Sequence, residues 1–378
     1  MSTEHLHFTQ STEPLQGAGL GYAALGLHLS LFARGIPSRL VTTCAEGFSV
    51  DVPNVTLFPR RGPERAFYSP MMFRQASELI QVADVIHGHG FYVGPNACLG
   101  RQARRLDKPL IYHVHGFFDP WILKRSRWKK RLAHWLFENA NFDHANLWRA
   151  LSQKEEQQIR SVGIQSPIVV LPNGVNLPAE RSEEERIQID TMFPRARPKR
   201  LLFLSRIHSK KGLDLLIQSW ASLPKPLTND WELALFGPDE GGYAADVQRW
   251  IDQAELSDSV RLMGSVSGEA KEAAFRSSDL FVLPSYSEGF PMAVLEAASF
   301  GLPVVLTDEC NFPELAATGG GWECKPTAES VGDSLRLALE CGDRERTERG
   351  QAGQDLVAQH YTWGSIATRL DDACQALL

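Results

Sequence analysis

Short runs of branched apolar residues alternate along the chain with longer segments whose apolar positions recur at helical spacing. In the first half, residues 20–33 predict a helix, because Arg34 and Gly35 supply a basic last turn and a terminating glycine. The runs that predict strands are LHF (6–8), RLVTT (39–43), DVIHGHG (84–90), PLIYHVHG (109–116) and VVLPNG (169–174). Strands that alternate with helices at this spacing predict a parallel sheet covered by helices on both faces.

A second alternation of the same kind fills the rest of the chain, with helices predicted at 213–220 and 243–254. The charged segment 178–200 precedes it and has the composition of a linker or surface excursion between domains. The runs that predict its strands are RLLFLSR (200–206), WELALFG (231–237), VRLMG (260–264), DLFVLPS (279–285) and PVVLT (303–307). We therefore expect two doubly wound α/β domains. Such sheets bind ligands at the carboxyl ends of their strands, so we expect the chemistry in a cleft between the two.

Composition narrows the class of protein. The chain has 378 residues, 43% of them hydrophobic and 22% charged, which is typical of a soluble globular protein. A net charge of −6 leaves no excess of lysine and arginine to neutralise phosphates, which argues against nucleic-acid binding. The first residues lack the pattern of a signal peptide and no apolar stretch approaches the ~20 residues of a bilayer span, so we expect a cytoplasmic protein. The six cysteines are scattered, which predicts reduced thiols.

The stretch SEGFPMAVLEAASFGLPVV (287–305) places Glu288 in a turn and Glu296 in the second turn of a helix predicted to begin at Pro291. A helix that begins at the carboxyl end of a strand favours phosphate, and Gly289 lets the backbone approach a ligand closely. Because a carboxylate beside a phosphate is unfavourable, we expect both glutamates to accept hydrogen bonds from sugar hydroxyls. The alternative is that each is an ordinary surface residue.

A second cluster, LFLSRIHSKKGLDLLI (202–217), places Arg206 and Lys211 after another predicted strand of the same half. Two cations at that position would neutralise a diphosphate, with arginine binding two oxygens and lysine acting as a point charge. The alternative is that they are surface charges of a loop, which is the commoner fate of lysine and arginine.

The segment QGAGLGYAALGLHL (16–29) is a glycine-rich opening to the first predicted helix. It does not match the dinucleotide-binding fingerprint, because Tyr22 occupies the place of the last glycine, and this argues against a dehydrogenase. We interpret the segment as a loop whose backbone approaches a ligand at Gly19.

Histidines follow or interrupt the predicted strands of the first half. His115 comes directly after one strand and is a candidate to point into the cleft, whereas His113, His87 and His89 are equally compatible with a structural role. No pair is convincingly spaced for a metal and no D-x-D motif occurs, so nothing in the sequence requires a divalent cation.

Taken together, the stretch from Glu288 to Glu296 (E-x7-E), SRIHSKKGLDLLI (205–217), VVLPNGV (169–175) and HVHG (113–116) resemble the family-four glycosyltransferases, also described as group 1. These are retaining, nucleotide-sugar-dependent enzymes of the GT-B fold, with two Rossmann-like domains facing across a cleft. The resemblance covers nearly the whole chain. The segments YHVHGFFDPWIL (112–123) and TDECNFPEL (307–315) look closest to the bacterial cell-surface polysaccharide branch.

The resemblance implies three parts of the chain and a set of roles in the second part. Residues 1–174 would form the acceptor domain, 175–360 the nucleotide-sugar donor domain, and 361–378 a helix that crosses back to the first domain. A hinge near Asn173 and Gly174 would allow closure. The diphosphate that leaves would be held by four groups: the side chains of Arg206 and Lys211 and the backbone N–H groups near Gly289 and Phe290.

The same resemblance implies how the sugars are bound. Glu296 would bind the nucleotide ribose and Glu288 the hydroxyls of the donor sugar, while His115 and Gly19 would face the reacting carbon from the first domain. The reaction would need no metal and no cofactor beyond the nucleotide-diphosphate sugar, because cations would stabilise the leaving group. The acceptor would be a glycan or a lipid-linked glycan.

Other functions remain open at the level of sequence. A nucleotide-sugar epimerase would isomerise its ligand without an acceptor, and a phosphorylase would require phosphate. A non-catalytic nucleotide-sugar binding protein would tolerate the loss of His115. The segment WILKRSRWKKRLAHWLF (121–137) mixes basic residues with tryptophans, and two interpretations fit it. It is either a peripheral contact with an anionic membrane at the inner face or a solvated basic helix with a buried apolar stripe.

Overall fold

Two parallel β-sheets, one in each of two units, organise the part of the chain that the computed structural model describes, residues 3–118 and 138–378. The first unit comprises the chain up to Gly174 together with Trp363–Leu378, and the second comprises Val175–Thr362. The chain therefore passes from the first unit to the second at 174/175 and returns to the first at 362/363.

The first unit is built on seven parallel strands in the order β3-β2-β1-β4-β5-β6-β7. The strands are β1 (His5–Thr9), β2 (Ser38–Cys44), β3 (Val55–Pro59), β4 (Val85–His89), β5 (Leu110–His113), β6 (Leu147–Ala150) and β7 (Ile168–Val170). The described helices up to Gly174 are α1 (Pro14–Ala33), α2 (Pro70–Gln81), α3 (Gly94–Arg105), α4 (Asn139–His144) and α5 (Gln153–Ser161). The sequence pattern did not predict β3 and β6, since β3 is half-exposed and contains a proline and β6 carries the charged residue Arg149.

The first helix corrects the interpretation of the glycine-rich segment. α1 begins at Pro14, so Gly19 lies inside the helix and the predicted loop is wrong. Proline suits the first position of a helix because its missing N–H has no partner there and its φ is already helical. Two glycines of this helix serve packing: a Cβ at Gly21 would clash with the Ser11 carbonyl, and one at Gly26 would clash with the Trp363 ring.

The second unit contains six parallel strands in the order β10-β9-β8-β11-β12-β13. They are β8 (Lys199–Leu204), β9 (Trp231–Phe236), β10 (Val260–Gly264), β11 (Leu280–Leu283), β12 (Val304–Thr307) and β13 (Gly321–Cys324). Its described helices are α6 (Glu183–Asp190), α7 (Leu213–Ser222), α8 (Lys225–Thr228), α9 (Tyr243–Gln253), α10 (Gly268–Arg276), α11 (Met292–Ser299), α12 (Pro313–Ala317), α13 (Ala328–Glu340) and α14 (Asp343–His360). The pattern predicted all of these strands except β13.

The charged segment 178–200 belongs to the second unit and is anchored to it. It contains α6, and Arg181 forms an ion pair with Glu272 of α10 at 2.7 Å. At its end, buried Arg200 pairs with Glu232 at 2.6 Å. Of the two interpretations, a linker or a surface excursion, the linker between domains is wrong, because the segment lies within the second unit and Arg181 and Arg200 pair with residues distant in the chain.

The last helix, α15 (Trp363–Gln375), returns to the first unit. Its apolar face packs in one buried cluster with α1, through Trp363, Ile366 and Leu370 on α15 and Ala23 and Leu27 on α1. Tyr361 and Thr362, which the sequence analysis grouped with this helix, belong to the second unit, where Tyr361 joins the core.

Candidate functional site

The loops at the carboxyl edge of the second sheet are so closely packed that two positions have no room for a side chain. Gly212, which follows the loop after β8, has φ +67°, and a Cβ there would clash with the carbonyl of Pro284 after β11. Gly237, after β9, has φ +151°, and a Cβ there would clash with the carbonyl of Ser205. Glycine alone fits both conformations without strain. The predicted ligand-binding loops of this unit thus form one packed surface.

Lys211 and Glu288 meet on this surface. Lys211 ends the short 3₁₀ helix Ser209–Lys211, and its Nζ lies 2.5 Å from Oε1 of Glu288. Only 10% and 12% of the two side chains are exposed, and Ser285 donates a hydrogen bond to the same carboxylate oxygen at 2.6 Å. The sequence placed both residues at this edge, and the structure brings them into direct contact.

The backbone around Glu288 is held from both sides. Its N–H donates to the Glu309 carbonyl at 3.0 Å, and the side chain of Asn311 donates to the Glu288 carbonyl at 2.5 Å. Within residues 3–118 and 138–378, no hydrogen bond engages the second carboxylate oxygen, Oε2. A rigidly positioned carboxylate with one free oxygen is suited to accept a hydrogen bond from a hydroxyl group.

The N-terminus of α11 lies directly after this residue. The helix begins at Met292, one residue after the predicted position, and Pro291 is the N-cap. Among the described residues, no hydrogen bond engages the backbone N–H groups of Gly289 and Phe290. Free N–H groups and the helix dipole make this position favourable for an anion. The Phe290 side chain stacks on Tyr361, so we expect this residue to contribute only its backbone to a ligand.

Glu296 lies in the second turn of α11, as predicted, and it has a partner that the sequence did not indicate. Lys271 of α10 pairs with its Oε1 at 2.6 Å. The one sequence signal for Lys271 was its position in a helix that follows a strand, β10, at the same edge of the sheet.

Arg206 and Lys211 have no common partner among the described residues. Arg206 pairs with Glu240 at 2.5 Å, and the two side chains are 58% and 47% exposed. An exposed pair of this kind contributes about 0–1 kcal/mol, so the guanidinium is readily available to a stronger anion.

His115 lies in the first unit, directly after β5, in an uncommon backbone conformation. Its φ is +51° and that of Gly116 is +81°, so both residues are left-handed. The N–H of Gly116 donates to Oε1 of Glu155, and the N–H of Leu151 donates to Oε2 at 2.6 Å. Burial raises the pKa of Glu155 to about 7, while the two N–H donors oppose this shift. A strained turn that buried contacts hold in place is often functional.

Three H-x-H pairs on neighbouring strands place six histidines on one face of the first sheet. His7 lies opposite His87 in the register of β1 with β4, and His89 lies opposite His113 in the register of β4 with β5. The remaining two members are His5 and His115. The repeated H-x-H spacing was visible in the sequence, but only the strand order shows that the three pairs are adjacent.

The histidine nitrogens come close enough for a metal in two groups, His5–His7–His87 and His7–His89–His113. The rings, however, are stacked: His7 lies 4.2 Å from His87 and His89 lies 4.1 Å from His113, each at 14° between planes. Lone pairs lie in the plane of an imidazole ring, so those of stacked rings do not converge on one point. The geometry favours hydrogen bonding between the histidines.

Arg149 borders this cluster, and the sequence analysis missed it. It is fully buried on β6 and donates to the carbonyl of Pro172 at 2.5 Å and to Asn173 Oδ1 at 3.2 Å. It thus contacts the predicted hinge. Burial lowers the pKa of Arg149 to about 9.

Gly19 occupies an open position on α1, where an added Cβ would meet no atom of the described part of the chain within 4 Å. The basic tryptophan segment 121–137 lies outside the described residues, and its membrane contact stays a prediction. None of the described helices has both the length and the apolar character needed to cross a bilayer.

Comparison with known proteins identifies the family. The sequence model described as "Glycosyltransferase Family 4" matches residues 19–178, and the model described as "Glycosyl transferases group 1" matches residues 187–355. The GDP-mannose:cellobiosyl-diphosphopolyprenol alpha-mannosyltransferase of Xanthomonas campestris is 27% identical over 332 residues, which are 86% of this chain and 81% of that protein. The D-inositol 3-phosphate glycosyltransferase of Mycolicibacterium smegmatis is 25% identical over 370 residues, 93% of this chain and 82% of that protein.

Solved structures agree on the fold. HepE of Anabaena, crystallised with UDP and glucose, superimposes with a TM-score of 0.79 at 18% identity, covering 99% of this chain and 100% of that one. WaaG, described as a glycosyltransferase involved in lipopolysaccharide biosynthesis, superimposes with a TM-score of 0.72 at 18% identity, covering 98% and 99% of the two chains. The chain therefore belongs to the family 4 glycosyltransferases, and its two parallel-sheet units have the GT-B fold.

Proposed function

We propose that this glycosyltransferase moves a sugar, with retention of configuration, from a nucleotide-diphosphate sugar to a glycan or lipid-linked acceptor in cell-surface polysaccharide synthesis. The observation that carries the proposal is the buried Lys211–Glu288 pair beside the free N–H groups of Gly289 and Phe290. Two relatives support the substrate classes: one is named for GDP-mannose and a diphosphopolyprenol-linked acceptor, and HepE was crystallised with UDP and glucose.

In the proposed complex the diphosphate takes the place of Glu288 as the partner of Lys211. The free N–H groups of Gly289 and Phe290 bind a phosphate oxygen, and Arg206 leaves its exposed pair to bind another. Because several donors already surround this position, little reorganisation is needed when negative charge develops on the leaving oxygen.

The two glutamates then bind the sugars on either side of the diphosphate. Oε2 of Glu288 accepts a hydrogen bond from a hydroxyl of the donor sugar, and Glu296, held by Lys271, accepts one from the ribose. His115 and Gly19 of the first unit are proposed to meet the donor sugar near the reacting carbon. The helical position of Gly19 means that it would contribute through close approach of the helix surface and not through a loop.

In the proposed reaction the bond between the anomeric carbon and the diphosphate oxygen breaks, and a bond from the acceptor oxygen to that carbon forms on the same face. The acceptor proton passes to the departing diphosphate. The cations supply the charge stabilisation that a metal would otherwise supply, so metal independence is part of the proposal.

The test begins with a panel of nucleotide sugars screened for thermal stabilisation of the protein, followed by transfer assays with the compounds that bind. We expect stabilisation by one donor class, transfer in the presence of EDTA, and a product whose anomeric configuration matches that of the donor by NMR. An inverted product would contradict the retaining mechanism. Binding without hydrolysis or transfer to any glycan or lipid-linked acceptor would favour the non-catalytic alternative.

A further inference from the structure

The six histidines of the first sheet form two hydrogen-bonded rows that cross β1, β4 and β5. In the first row, His5 Nδ1 lies 2.9 Å from His87 Nε2, and His87 Nδ1 lies 3.0 Å from His113 Nε2. In the second row, His7 Nδ1 lies 3.1 Å from His89 Nε2, and His89 Nδ1 lies 3.1 Å from His115 Nε2. The rows are stacked on each other through the close pairs His7–His87 and His89–His113.

The direction of donation in the first row is determined at both ends. Asp371 can only accept, so His5 carries its proton on Nε2, which lies 2.9 Å from the carboxylate. At the other end, Arg149 can only donate, and its Nη1 lies 3.3 Å from Nδ1 of His113. Both ends require every ring of this row to donate from Nε2, from His113 through His87 and His5 to Asp371.

The second row has neither of these terminal partners. Nε2 of His7 is buried and has no hydrogen-bond partner among residues 3–118 and 138–378. At the opposite end, no hydrogen bond within the described residues engages Nδ1 of His115, which is half-buried. A neutral imidazole has one N–H and one lone pair, so all rings in such a row donate in the same direction. The direction decides which terminal nitrogen, Nε2 of His7 or Nδ1 of His115, carries a proton and which has a lone pair.

The buried nitrogen of His7 favours one direction. If the row donated from His115 toward His7, an N–H of His7 would be buried without an acceptor, and orphaned buried N–H groups are rarer than under-satisfied acceptors. If the row donates from His7 toward His115, the same nitrogen is a lone pair. The first row donates in the opposite direction, so the stacked rows would then have antiparallel dipoles, which attract each other.

The positive charge of Arg149 disfavours donation from His7 toward His115, because the N–H groups would then point toward the strand that carries this cation. The Arg149 guanidinium, however, already donates to three acceptors, the carbonyl of Pro172, Asn173 Oδ1 and His113 Nδ1. Buried Glu155, when ionised, offsets part of this positive charge. A partnered cation perturbs the second row less than a buried N–H without any acceptor.

We propose that His7 and His89 are positioning residues that hold His115 in the tautomer protonated on Nδ1, so that His115 offers an N–H donor to its ligand. The identity of that ligand rests on the proposed function, in which it is an oxygen of the donor sugar. In this tautomer His115 accepts no proton at Nδ1, so it binds and orients a sugar oxygen and does not act as a base.

The tautomer can be observed without any substrate, by two-bond ¹H–¹⁵N correlation spectra of protein labelled with ¹⁵N-histidine. The His115 signals are assigned by their loss in His115→Gln, and exposed His360 is the reference for an unconstrained ring. We expect a proton on Nδ1 of His115 and a bare Nε2. A proton on Nε2 of His115 in the wild-type protein would overturn the proposal.

Two substitutions of His7 separate positioning from packing. His7→Asn places an amide N–H where Nδ1 of His7 donated, so it should keep the His115 tautomer, whereas His7→Leu should lose the preference. If the proposed function holds, kcat should fall about tenfold in His7→Leu and recover in His7→Asn, the size expected for one hydrogen bond, with a smaller change in KM. An unaltered His115 tautomer in His7→Leu would contradict the role of His7.

The spectra test the tautomer of His115 and the kinetics test the proposed function, so either proposal can be contradicted without the other. Absence of transfer activity with the expected tautomer would contradict the proposed function and leave the positioning role intact. A stoichiometric transition metal in the purified protein, lost together with His7, would overturn the hydrogen-bonded rows in favour of a metal site. If His7→Leu does not fold, the wild-type spectrum and His7→Asn still decide the tautomer.

Discussion

The two sheets of this protein share a parallel architecture but differ in what they bury. In the second sheet most buried strand positions are apolar, although β8 and β9 bury the ion pair of Arg200 with Glu232. Its candidate site residues Lys211 and Glu288 lie in the loops at the carboxyl edge. In the first sheet one face carries five fully buried histidines and Arg149 within the strands themselves. His89 and His113 are the last residues of β4 and β5, while Val85, Ile111 and Leu147 near the amino ends of β4, β5 and β6 pack in one cluster with residues of α1 and α15.

This difference shows how a parallel sheet can contain polar side chains in its interior. Strands buried on both faces normally read as continuous apolar runs, and a buried polar group is costly unless it is hydrogen-bonded. The first row meets this condition, because each of its ring nitrogens has a partner between Asp371 and Arg149. The second sheet meets the same condition by pairing its buried charges, Arg200 with Glu232 in the strands and Lys211 with Glu288 at the edge.

The largest expected difference between the units is in their response to acid. Burial lowers the pKa of seven histidines, all in the first unit: His5, His7, His28, His87, His89, His113 and His115. A histidine with a lowered pKa contributes full stability above its unfolded pKa of about 6.5 and loses it as the pH falls, by about 1.4 kcal/mol per pH unit. The seven shifts have the same sign, so together they destabilise the first unit as the pH falls below about 6.5.

Two carboxyl groups act in the opposite direction. Burial raises the pKa of Glu138 and Glu155 to about 7, so the folded state retains these protons below that pH and gains stability as the pH falls. Two groups offset only part of the effect of seven. Hydrogen exchange followed by mass spectrometry should therefore show the first unit losing protection between about pH 6.5 and 5 while the second retains it. Simultaneous loss in both units would contradict this contrast.

The next largest effect is expected on turnover, from substitution of Lys211 at the carboxyl edge of the second sheet. Lys211→Ala removes a preorganised charge from the leaving group, and we expect kcat to fall by about 10²–10³, as for loss of one oxyanion donor. Steady-state transfer assays would measure this. The matched control is Lys210→Ala, which removes the neighbouring lysine of the same 3₁₀ helix and should leave kcat within a few-fold. Equal kcat values in the two variants would contradict the proposed role of Lys211 in stabilising the leaving group.

A smaller effect, on the free energy of unfolding, is expected from removing Asp371, the acceptor at the end of the first histidine row. Asp371→Ala removes the acceptor of His5 Nε2–H and should destabilise the protein by about 1–3 kcal/mol, the cost of an orphaned buried donor. Asp372→Ala changes the adjacent, exposed position of the same helix and should cost less than about 0.5 kcal/mol. Chemical denaturation at pH 7.5 would compare them. If the two variants were equally stable, the row would not depend on Asp371.

The smallest expected effect tests the correction to the glycine-rich segment. Gly19→Ala should stabilise α1 by about 0.5–1 kcal/mol, because the position is helical and open. Gly21→Ala is the matched control and should destabilise, because its Cβ would clash with the Ser11 carbonyl. Thermal melts of both variants measure this. Loss of donor binding in a stabilised Gly19→Ala variant would support ligand approach at this helix, and unchanged binding would remove Gly19 from the proposed site.

Much of the fold and part of the site followed from local pattern. Apolar runs located the central strands of both sheets, and Pro291 correctly placed Glu288 before the helix and Glu296 within it. Three strands escaped detection: β3 carries a proline, β6 carries a buried arginine, and β13 is partly exposed, so each lacks the apolar pattern. The helical start of α1 was missed because glycines that pack against other elements look like glycines of a loop.

Local sequence determined the elements, their caps and the residue types available at each strand end, since these depend on neighbours within a few turns. Folding decided which of those residues meet. Lys211 and Glu288 are 77 residues apart in the chain, and His5 and Asp371 are 366 residues apart. Such contacts depend on strand order, register and the return of the last helix, so no window along the chain contains them. The histidine rows exist because β1, β4 and β5 are neighbours in the sheet and not in the sequence.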